Sequence, residues 1–328
     1  MSSSTLAGED AAVAGRIAPG QRITVRVPAT SANLGPGFDS LGLAVAFYDT
    51  VTVESTDDGV FQASVRGEGA ANLPTDESHL IIRTLRSTLR QAGYDAGGLR
   101  LEAENLIPHG RGMGSSAAAV VSAVLLADAL LPEQDRLGAG KILQICSGLE
   151  GHPDNVAPAL SGQLAISWEE AGVYYSTRVP ICPDIVPVVA IPSYELSTET
   201  ARNLLPASVP HHVAAANSGR AALLVHALTR DPSLLRAGTE EWLHQRHRAP
   251  AMKPSAALIE ALRSRGHAAV VSGAGPTVMT LAADEAEAVQ VQKVIATHLE
   301  QHDMPGSWRV LKLAVETDGA KVEVHPRD

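Results

Sequence analysis

The pattern of apolar and polar positions predicts mixed strands and helices in the first half of the chain. Residues 22–27 alternate like a strand and end at Pro28, and strand-like residues resume from Gly42 in GLAVAFYDTVTVES. The loop SANLGPGFDS lies between them. Helical spacing in HLIIRTLRSTLRQAGY predicts a helix that stops at Gly93, and LRLEAENLIP returns to a strand pattern.

A glycine-rich loop then opens directly into an apolar helix, in HGRGMGSSAAAVVSAVLLADALL. Glycine permits backbone conformations barred to other residues, and the first turn of a helix presents unpaired N–H donors. The junction therefore predicts an anion site, with the helix beginning near Ser115 and a nucleotide phosphate as the anion to test. The loop lacks the lysine of a Walker loop, and no acidic residue is placed for a dinucleotide ribose. A structural alternative is that the glycines allow close packing and that Ser115 caps the helix.

The remaining pattern alternates strands and helices without a strict βαβ rhythm. KILQICSGLE predicts a helix, whereas EGHPDNVAPAL is too rich in proline and polar groups for a regular element. Strands are predicted in LAISW, VYYSTRV and IVPVVAIPS, and a strand, glycine turn and strand in AAVVSGAGPTVMTLAA. Helices are predicted in ARNLL, VAAANSGRAALLVHALT, EEWLHQ, SAALIEALRSRG and EAEAVQVQKVIATHLEQ. This pattern favours an α+β protein with a cleft between two domains.

Composition narrows the class of protein. The chain has 328 residues, of which 45% are hydrophobic and 3% aromatic, and a formal net charge of −10. The length favours two domains, and the charge argues against broad binding to nucleic acid or an anionic membrane. The most apolar run, Val120 to Leu131, is interrupted by Asp128 and is shorter than the ~20 residues that a membrane span needs. We expect a soluble, cytoplasmic protein, with a homodimer as the commonest assembly.

Cysteine usage and the amino terminus support this expectation. Cys146 and Cys182 are too few for a disulfide framework or a cysteine zinc site, so both are predicted to be buried small apolar residues. Residues 1–20 have no basic region before a sustained apolar stretch, which argues against a secretory signal and predicts a flexible tail.

Two polar loops supply candidate chemistry. SANLGPGFD carries Asn33 and Asp39, and EGHPDNVAP carries Glu150, His152, Asp154 and Asn155. Alone, such residues are ordinary turn formers or packed side chains. Beside a phosphate loop, however, Glu150 could hold Mg²⁺ with Ser115 or Ser116, because magnesium prefers hard oxygen ligands and bridges nucleotide phosphates.

Together these segments resemble the homoserine kinases of the GHMP small-molecule kinase superfamily. The resemblance rests on VPATSANLGPGFDSLGLAV, IPHGRGMGSSAAAV, EGHPDNVAPAL and VSGAGPTVMTL, with TETARNLLP and HQRHRAPAM, and runs from Arg22 to the end of the chain. It implies a two-domain GHMP kinase fold with the active site in the cleft. The nucleotide-binding domain, mixed α/β, would span 21–183, and a ferredoxin-like α+β domain would span 184–328.

The resemblance also implies an activity and its residues. The implied reaction is ATP-dependent phosphorylation of the side-chain hydroxyl of L-homoserine, in threonine biosynthesis. The residues implied to wrap the triphosphate are Pro108, His109, Gly110, Arg111, Gly112, Met113, Gly114, Ser115, Ser116, Ala117 and Ala118. Those implied to hold Mg²⁺ are Ser116 and Glu150. Those implied to bind the substrate are Asn33, Asp39, His152, Asp154, Asn155, Thr198, Arg202 and Arg248. Carboxylates would meet the substrate ammonium and arginines its carboxylate.

Several alternatives stay open at this level. Asn155 stands where some relatives have an aspartate base, so we expect Asn33, Asn155 and Glu150 to catalyse by positioning and charge neutralisation. Arg246 competes with Arg248 for the carboxylate role, and Arg248 could instead be a solvated helix end paired with Glu240 or Glu241. Gln163 replaces a usual glycine and could alter the turn behind the pocket. Two competing functions remain: a kinase of the same superfamily that acts on another hydroxy amino acid, and a regulator that binds a nucleotide without catalysis.

Overall fold

The computed structural model describes residues 15–302, 304 and 306–326. Its strands are β1 (Gly15–Arg16), β2 (Arg22–Ala32), β3 (Leu41–Thr56), β4 (Phe61–Gly67), β5 (Tyr94–Asp95), β6 (Gly98–Asn105), β7 (Leu164–Glu170), β8 (Val173–Val179), β9 (Val186–Pro192), β10 (Ala268–Val271), β11 (Val278–Ala282), β12 (Trp308–Lys312) and β13 (Lys321–Val324). Its α-helices are α1 (Leu80–Gln91), α2 (Ser115–Leu130), α3 (Gly138–Glu150), α4 (Val156–Ser161), α5 (Thr198–Asn203), α6 (His211–Thr229), α7 (Leu235–Gly238), α8 (Gln245–Arg248), α9 (Lys253–Arg263) and α10 (Glu285–Gln301). Within the described residues, none of these helices has the length and apolar character of a membrane span.

The larger of two main sheets has seven strands in the order β13-β2-β3-β6-β4, with β7 and β8 attached through the start of β3. Along β3 every second residue from Val45 onward is buried, as expected for a strand with one face on the core. Helix α2 lies on β2 and contacts α1, α3 and α4. Its middle is buried almost all round, because alanine, valine and leucine occupy nearly every position.

The smaller sheet is antiparallel, in the order β10-β11-β9-β12. Helices α5–α9 lie between β9 and β10 along the chain, and α10 lies between β11 and β12. This order of elements and strands is the ferredoxin-like arrangement that the resemblance implies. The predicted two-domain α+β fold is confirmed.

The structure differs from the pattern at several elements. Strand β2 continues through Pro28 to Ala32, because a register shift between Pro28 and Ala29 accommodates the residue that lacks an N–H. EEWLHQ is not a helix: the side chain of Glu241 accepts hydrogen bonds from the next backbone N–H groups and starts the short α8 only at Gln245. The predicted loop EGHPDNVAPAL becomes helical from Val156.

The segments near both chain ends and one of the two cysteines are also placed differently from the sequence predictions. Of the predicted tail, residues 1–14 lie outside the described residues, but Gly15 and Arg16 pair with β5 and Ile17 is buried, so residues 15–17 belong to the fold. Strand β13 pairs with β2 of the larger sheet, although the division at 184 places it in the second domain. Cys146 is buried as predicted, whereas Cys182 is only partly buried.

Candidate active site

The glycine-rich segment 108–114 forms a loop that ends at the first turn of α2. Gly110, Gly112 and Gly114 have φ values of 63°, 73° and 73°, in the left-handed region that favours glycine. Gly114 is the residue before α2, and no side chain caps the helix there. Ser115 is therefore the first helical residue and not its cap, which leaves backbone N–H donors of this turn available to an anion.

The loop packs closely against its surroundings. A Cβ at Gly112 would lie 2.2 Å from the carbonyl oxygen of Ser272, and one at Gly114 would lie 2.1 Å from Oγ1 of Thr30. The hydroxyl of Ser272, in the turn between β10 and β11, donates to the carbonyl of Gly112 at 2.6 Å. Glycine at these two positions lets the loop contact both sheets at once.

Arg111 ties the loop to the second domain. Its guanidinium donates to the backbone carbonyls of Pro192 at 3.0 Å and Ser193 at 2.7 Å, at the end of β9. The N–H of Leu196 in turn donates to the carbonyl of Gly110 at 2.9 Å. Most N–H groups of the Arg111 guanidinium therefore donate to backbone carbonyls, and two of these bonds link the loop to the second domain.

A cleft between the two domains gathers almost all of the predicted site residues. The exceptions are Ala118, which is fully buried in α2, and His109, which lines a neighbouring cavity. The cleft is also lined by Ala32, Gly273 and Ala274, which lie within the quoted motifs but were given no role, and by Leu196, which lies outside them. The cleft thus joins segments from distant parts of the chain at one place.

Ser116 and Glu150 meet at the mouth of this cleft. The Ser116 hydroxyl donates to Oε1 of Glu150 at 2.6 Å. Burial raises the pKa of Glu150, against the lowering effects of this hydrogen bond and of His152. A hydroxyl and a carboxylate beside a phosphate loop are hard oxygen donors, so the pair fits Mg²⁺. Within the described residues no group of three or more histidine, cysteine or acidic side chains is placed to hold a metal.

An ion pair between Asp39 and Arg202 also lines the cleft. The Arg202 guanidinium donates to both carboxylate oxygens of Asp39, at 3.0 and 3.2 Å. Asp39 lies on a turn whose shape is fixed by Asn33, since the Asn33 side chain accepts from the Asp39 N–H at 3.0 Å and donates to the Gly273 carbonyl at 2.9 Å. Asn33 and Asp39 both have positive φ, 70° and 53°, which these bonds stabilise.

The segment before α4 contributes a second polar cluster. Nδ1 of His152 lies 2.6 Å from Oδ1 of Asp154, and the hydrogen bond between them raises the pKa of His152 above its ordinary value. Asn155 accepts a hydrogen bond from the Thr30 hydroxyl at 2.9 Å, which links this segment to β2 beneath the phosphate loop. Thr198, the first residue of α5, lines the same cleft from an exposed position.

Packing distinguishes the two candidate arginines of α8. Arg248 is only 2% exposed and lines the cleft, where it donates to the carbonyls of Ala201 at 3.3 Å and Gly273 at 3.1 Å. The alternative of a solvated helix end is therefore wrong. Arg246 is exposed and donates to the neighbouring His247 ring. Of the two, Arg248 alone reaches the cleft.

Comparisons with known proteins agree with this geometry. Residues 79–163 match the family model of the GHMP kinases N terminal domain, and residues 221–301 match that of the GHMP kinases C terminal domain. The chain is 48% identical to the homoserine kinase of Streptomyces coelicolor over 301 residues, which cover 92% of this chain and 94% of that protein. The chain belongs to the homoserine kinase family of the GHMP kinases.

Further relatives extend the match. The homoserine kinase of Clavibacter michiganensis is 45% identical over 94% of this chain and 96% of its own length. The crystal structure of homoserine kinase from Cytophaga hutchinsonii has a TM-score of 0.82 at 25% identity, covering 92% of this chain and 97% of that one. The L. major mevalonate kinase, at 16% identity and a TM-score of 0.65 over 92% of this chain and 97% of that one, shares the fold.

Beside the phosphate loop of this homoserine kinase family member lies a second cavity. It shares Gly110, Ser115 and Ser116 with the cleft. Apolar residues form much of its wall, and its polar groups include the buried Ser122 hydroxyl, which has no hydrogen-bond partner among the described residues. Sequence reasoning missed this cavity because its remaining residues come from several separate elements and form no motif, at Asp49, Val51, Leu73, His79, Leu80, Ile81, Asn105, Ala119 and Ser122.

Gln163, which departs from the family pattern, lies away from the cleft. Its φ is 60°, its side chain accepts from the Ile181 N–H at 3.3 Å, and it lines a separate cavity with residues of the interdomain segment and β12. Because it is not among the residues lining the cleft, the departure changes a turn outside the candidate active site.

Asp49, at the wall of the second cavity, gives a testable pH dependence of stability. Its Oδ1 accepts from the N–H groups of Leu106 and Ile107 just before the phosphate loop, yet burial raises its pKa from 3.8 to about 6. Because the pKa is higher in the folded state, protonation of Asp49 stabilises the fold. This contribution is fully present below the unfolded pKa and is lost as the pH rises through about 6. From about pH 4 to about pH 7 the parent should lose about 2 kcal/mol of unfolding free energy that Asp49→Asn retains.

Urea unfolding at the two pH values measures this difference. The amide oxygen of asparagine can still accept both N–H groups, so the variant isolates the titration. Asp184→Asn, at an exposed position, provides the matched control. Equal pH slopes for the parent and Asp49→Asn would show that the carboxylate titrates normally.

Proposed function

We propose that this chain is a homoserine kinase, which transfers the γ-phosphoryl group of ATP to the side-chain hydroxyl of L-homoserine and releases O-phospho-L-homoserine and ADP. One observation carries the proposal: the phosphate loop and a pair of opposite charges, Asp39 and Arg202, open into the same cleft. A phosphate donor and a small zwitterion can therefore meet there. The names of the curated relatives support the same reaction.

In this proposal ATP lies along the loop from Pro108 to Ala118. Backbone N–H groups and the amino-terminal end of α2 stabilise the phosphate charges. The adenine base occupies the second cavity, which adjoins the loop at Gly110, Ser115 and Ser116 and offers both apolar walls and hydrogen-bonding groups. The unpartnered Ser122 hydroxyl in that wall supports a cavity that receives a polar ligand.

Ser116 and Glu150 are proposed to hold Mg²⁺ with the phosphates. When bound, the ion neutralises charge that builds up on the transferring phosphoryl group. The short hydrogen bond between the two side chains already fixes their separation.

The substrate amino acid is proposed to bind in the cleft between the acidic side chains and the two arginines. Its ammonium meets Asp39 or Asp154, and its carboxylate meets Arg202 and Arg248. Entry of a zwitterion exchanges the Asp39–Arg202 pair for two charge-matched contacts, so neither side chain is left unpaired. His152, Asn155, Asn33 and Thr198 complete the pocket.

Transfer is proposed to proceed by alignment, without a carboxylate base at Asn155. The homoserine hydroxyl forms a bond to the γ-phosphorus, the bond to the β–γ bridging oxygen breaks, and the hydroxyl proton leaves through a phosphate oxygen. A loose transition state requires little prior deprotonation of the nucleophile. Asn155 is held by Thr30 and Asn33 by Gly273, so both amides are fixed in place to orient the hydroxyl.

A coupled ADP-release assay with homoserine, threonine and serine tests the function. We expect kcat/KM to be highest for homoserine. Preference for another member of the panel would identify a kinase for a different hydroxy amino acid. Nucleotide binding without any ADP release would identify a regulator and refute the proposal.

The nucleotide cavity predicts a selective effect of Ala119→Phe. Ala119 lines the second cavity but not the cleft. A phenyl ring there fills the space for the base, so KM for ATP should rise about 10-fold or more, as expected for an overpacking cost of about 1–3 kcal/mol. KM for homoserine should change little. Ala119→Ser is the matched control, and an unchanged KM for ATP in the phenylalanine variant would place the base elsewhere.

We further propose that the enzyme is a cytoplasmic homodimer that acts in threonine biosynthesis. The location suits its small charged substrates, and a twofold dimer is the commonest closed assembly of soluble enzymes. Sedimentation of the purified chain tests the assembly, and a monomer at micromolar concentration would refute it.

A further inference from the structure

His244 lies behind the cleft and has no part in the mechanism above. Its ring is fully buried. Nε2 lies 2.9 Å from the carbonyl oxygen of Gly35, and Nδ1 lies 3.3 Å from Nη1 of Arg248. A carbonyl can only accept and a guanidinium can only donate. The ring must therefore be neutral, with its proton on Nε2 and its lone pair on Nδ1.

The surroundings of His244 hold it in this state. Burial lowers its pKa, opposed by Glu241 and assisted by Arg248, which favours the neutral ring. The Glu241 carboxylate accepts from the N–H groups of Leu243, His244 and Gln245 at 2.7, 2.9 and 2.8 Å, which fixes the backbone of His244. Phe38 stacks on the imidazole with ring centroids 5.2 Å apart.

The two partners of His244 belong to the two domains that border the proposed substrate pocket. Gly35 lies in the turn that carries Asn33 and Asp39, and Arg248 comes from the second domain. The Arg248 guanidinium also lies 5.4 Å from the Phe38 ring, within the same turn. One imidazole thus connects the turn of the first domain to the arginine of the second.

We propose that His244 is a positioning residue that fixes Arg248 relative to the turn 33–39 and thereby sets selectivity for substrates with a carboxylate. This inference rests on the proposed function. The lone pair of Nδ1 orients the guanidinium, and the Nε2–H bond keeps the turn at the matching distance. Arg248 then presents its remaining N–H groups to the substrate at low entropic cost.

His244→Phe tests the proposal, because phenylalanine keeps the ring and its stacking but removes both hydrogen bonds. The measurement is kcat/KM for homoserine and for 3-aminopropan-1-ol, which has the same hydroxyl and amine without the carboxylate. We expect kcat/KM for homoserine to fall about 10-fold or more, mainly through KM, as for loss of a charge-assisted hydrogen bond. The value for 3-aminopropan-1-ol and KM for ATP should change by less than about twofold.

Two milder variants separate the two bonds and cover the case in which the phenylalanine variant does not fold. His244→Asn can retain an acceptor near Arg248, and His244→Gln can retain a donor near Gly35. We expect His244→Asn to keep more of the preference for homoserine than His244→Gln. The matched control is His267→Phe, since His267 is also buried and hydrogen-bonded, to Glu287, but does not line the cleft. It should leave the ratio of the two substrates unchanged.

Equal losses with both substrates in the His244 variants would overturn the proposal, because a merely structural role weakens every substrate alike. A rise in KM for ATP equal to that for homoserine would overturn it too. If the parent enzyme does not turn over homoserine at all, the failure belongs to the proposed function and not to His244.

Discussion

Replacing Glu150 with glutamine should lower kcat about 10²- to 10³-fold, the loss expected when one preorganised charge-stabilising group is removed from a phosphoryl-transfer site. Glutamine has nearly the same size and can still accept the hydrogen bond from Ser116. It cannot supply the negative oxygen that a magnesium ion prefers. The variant therefore isolates the charge of this side chain from its shape.

Two measurements check this prediction. The coupled ADP-release assay gives kcat, and the rise in Tm on adding ADP with and without Mg²⁺ reports metal binding independently of turnover. We expect the Mg²⁺-dependent part of that rise to shrink in Glu150→Gln. Glu170→Gln, an exposed change at the end of β7, should match the parent in both assays. A near-normal kcat with an unchanged Mg²⁺ response would remove Glu150 from the metal site.

Replacing Gly112 with alanine should damage both stability and nucleotide binding. Its φ of 73° disfavours any residue with a Cβ, and that Cβ would lie 2.2 Å from the Ser272 carbonyl oxygen and 3.0 Å from Gly275 backbone atoms. Backbone strain costs about 1–2 kcal/mol and forced packing about 1–3 kcal/mol, so the free energy of unfolding should fall by about 2–5 kcal/mol. Because backbone atoms cannot give way as a flexible side chain can, the loop must shift, and KM for ATP should rise at least about 10-fold.

Gly110→Ala is the matched control within the same loop. Its φ of 63° is similar, but its nearest neighbour is the Glu195 side chain at 3.3 Å. The free energy of unfolding of Gly110→Ala should therefore fall only by the cost of backbone strain, about 1–2 kcal/mol. Urea unfolding and steady-state kinetics on both variants separate the effect of backbone strain from the effect of the steric clash with Ser272. If the two variants are equally stable and equally active, contact between the loop and Ser272 does not constrain the site.

Local chemistry explains why most residues of the candidate site could be named from the sequence and then lie in one cleft. The phosphate loop and α2 form one continuous segment, so its glycines and the start of the apolar run indicate both an anion site and a helix that begins at Ser115. Each polar loop keeps its residues close together because they are near neighbours along the chain. This holds for Asn33 and Asp39 and for the segment from Glu150 to Asn155. The two-domain fold followed from the resemblance and from strand and helix periods that span whole elements.

The errors in element assignment come from side-chain contacts that periodicity does not encode. EEWLHQ has the spacing of a helix, but Glu241 bonds to the backbone that follows it and shifts the helix start to Gln245. Pro28 suggests the end of a strand, yet an irregular register lets β2 continue past it. In both cases a single local arrangement overrides a weak average preference.

The sequence by itself determined the class of fold, and it located the glycine-rich loop that we propose binds phosphate and the polar segments that we propose bind a metal and an amino acid. Only the tertiary structure decided which of two nearby arginines enters the cleft, that a second cavity adjoins the loop, and that His244 joins Gly35 to Arg248. The physical reason is sequence distance: contacts within a segment follow from backbone geometry and spacing, whereas contacts across some 200 residues exist only once both sheets have packed.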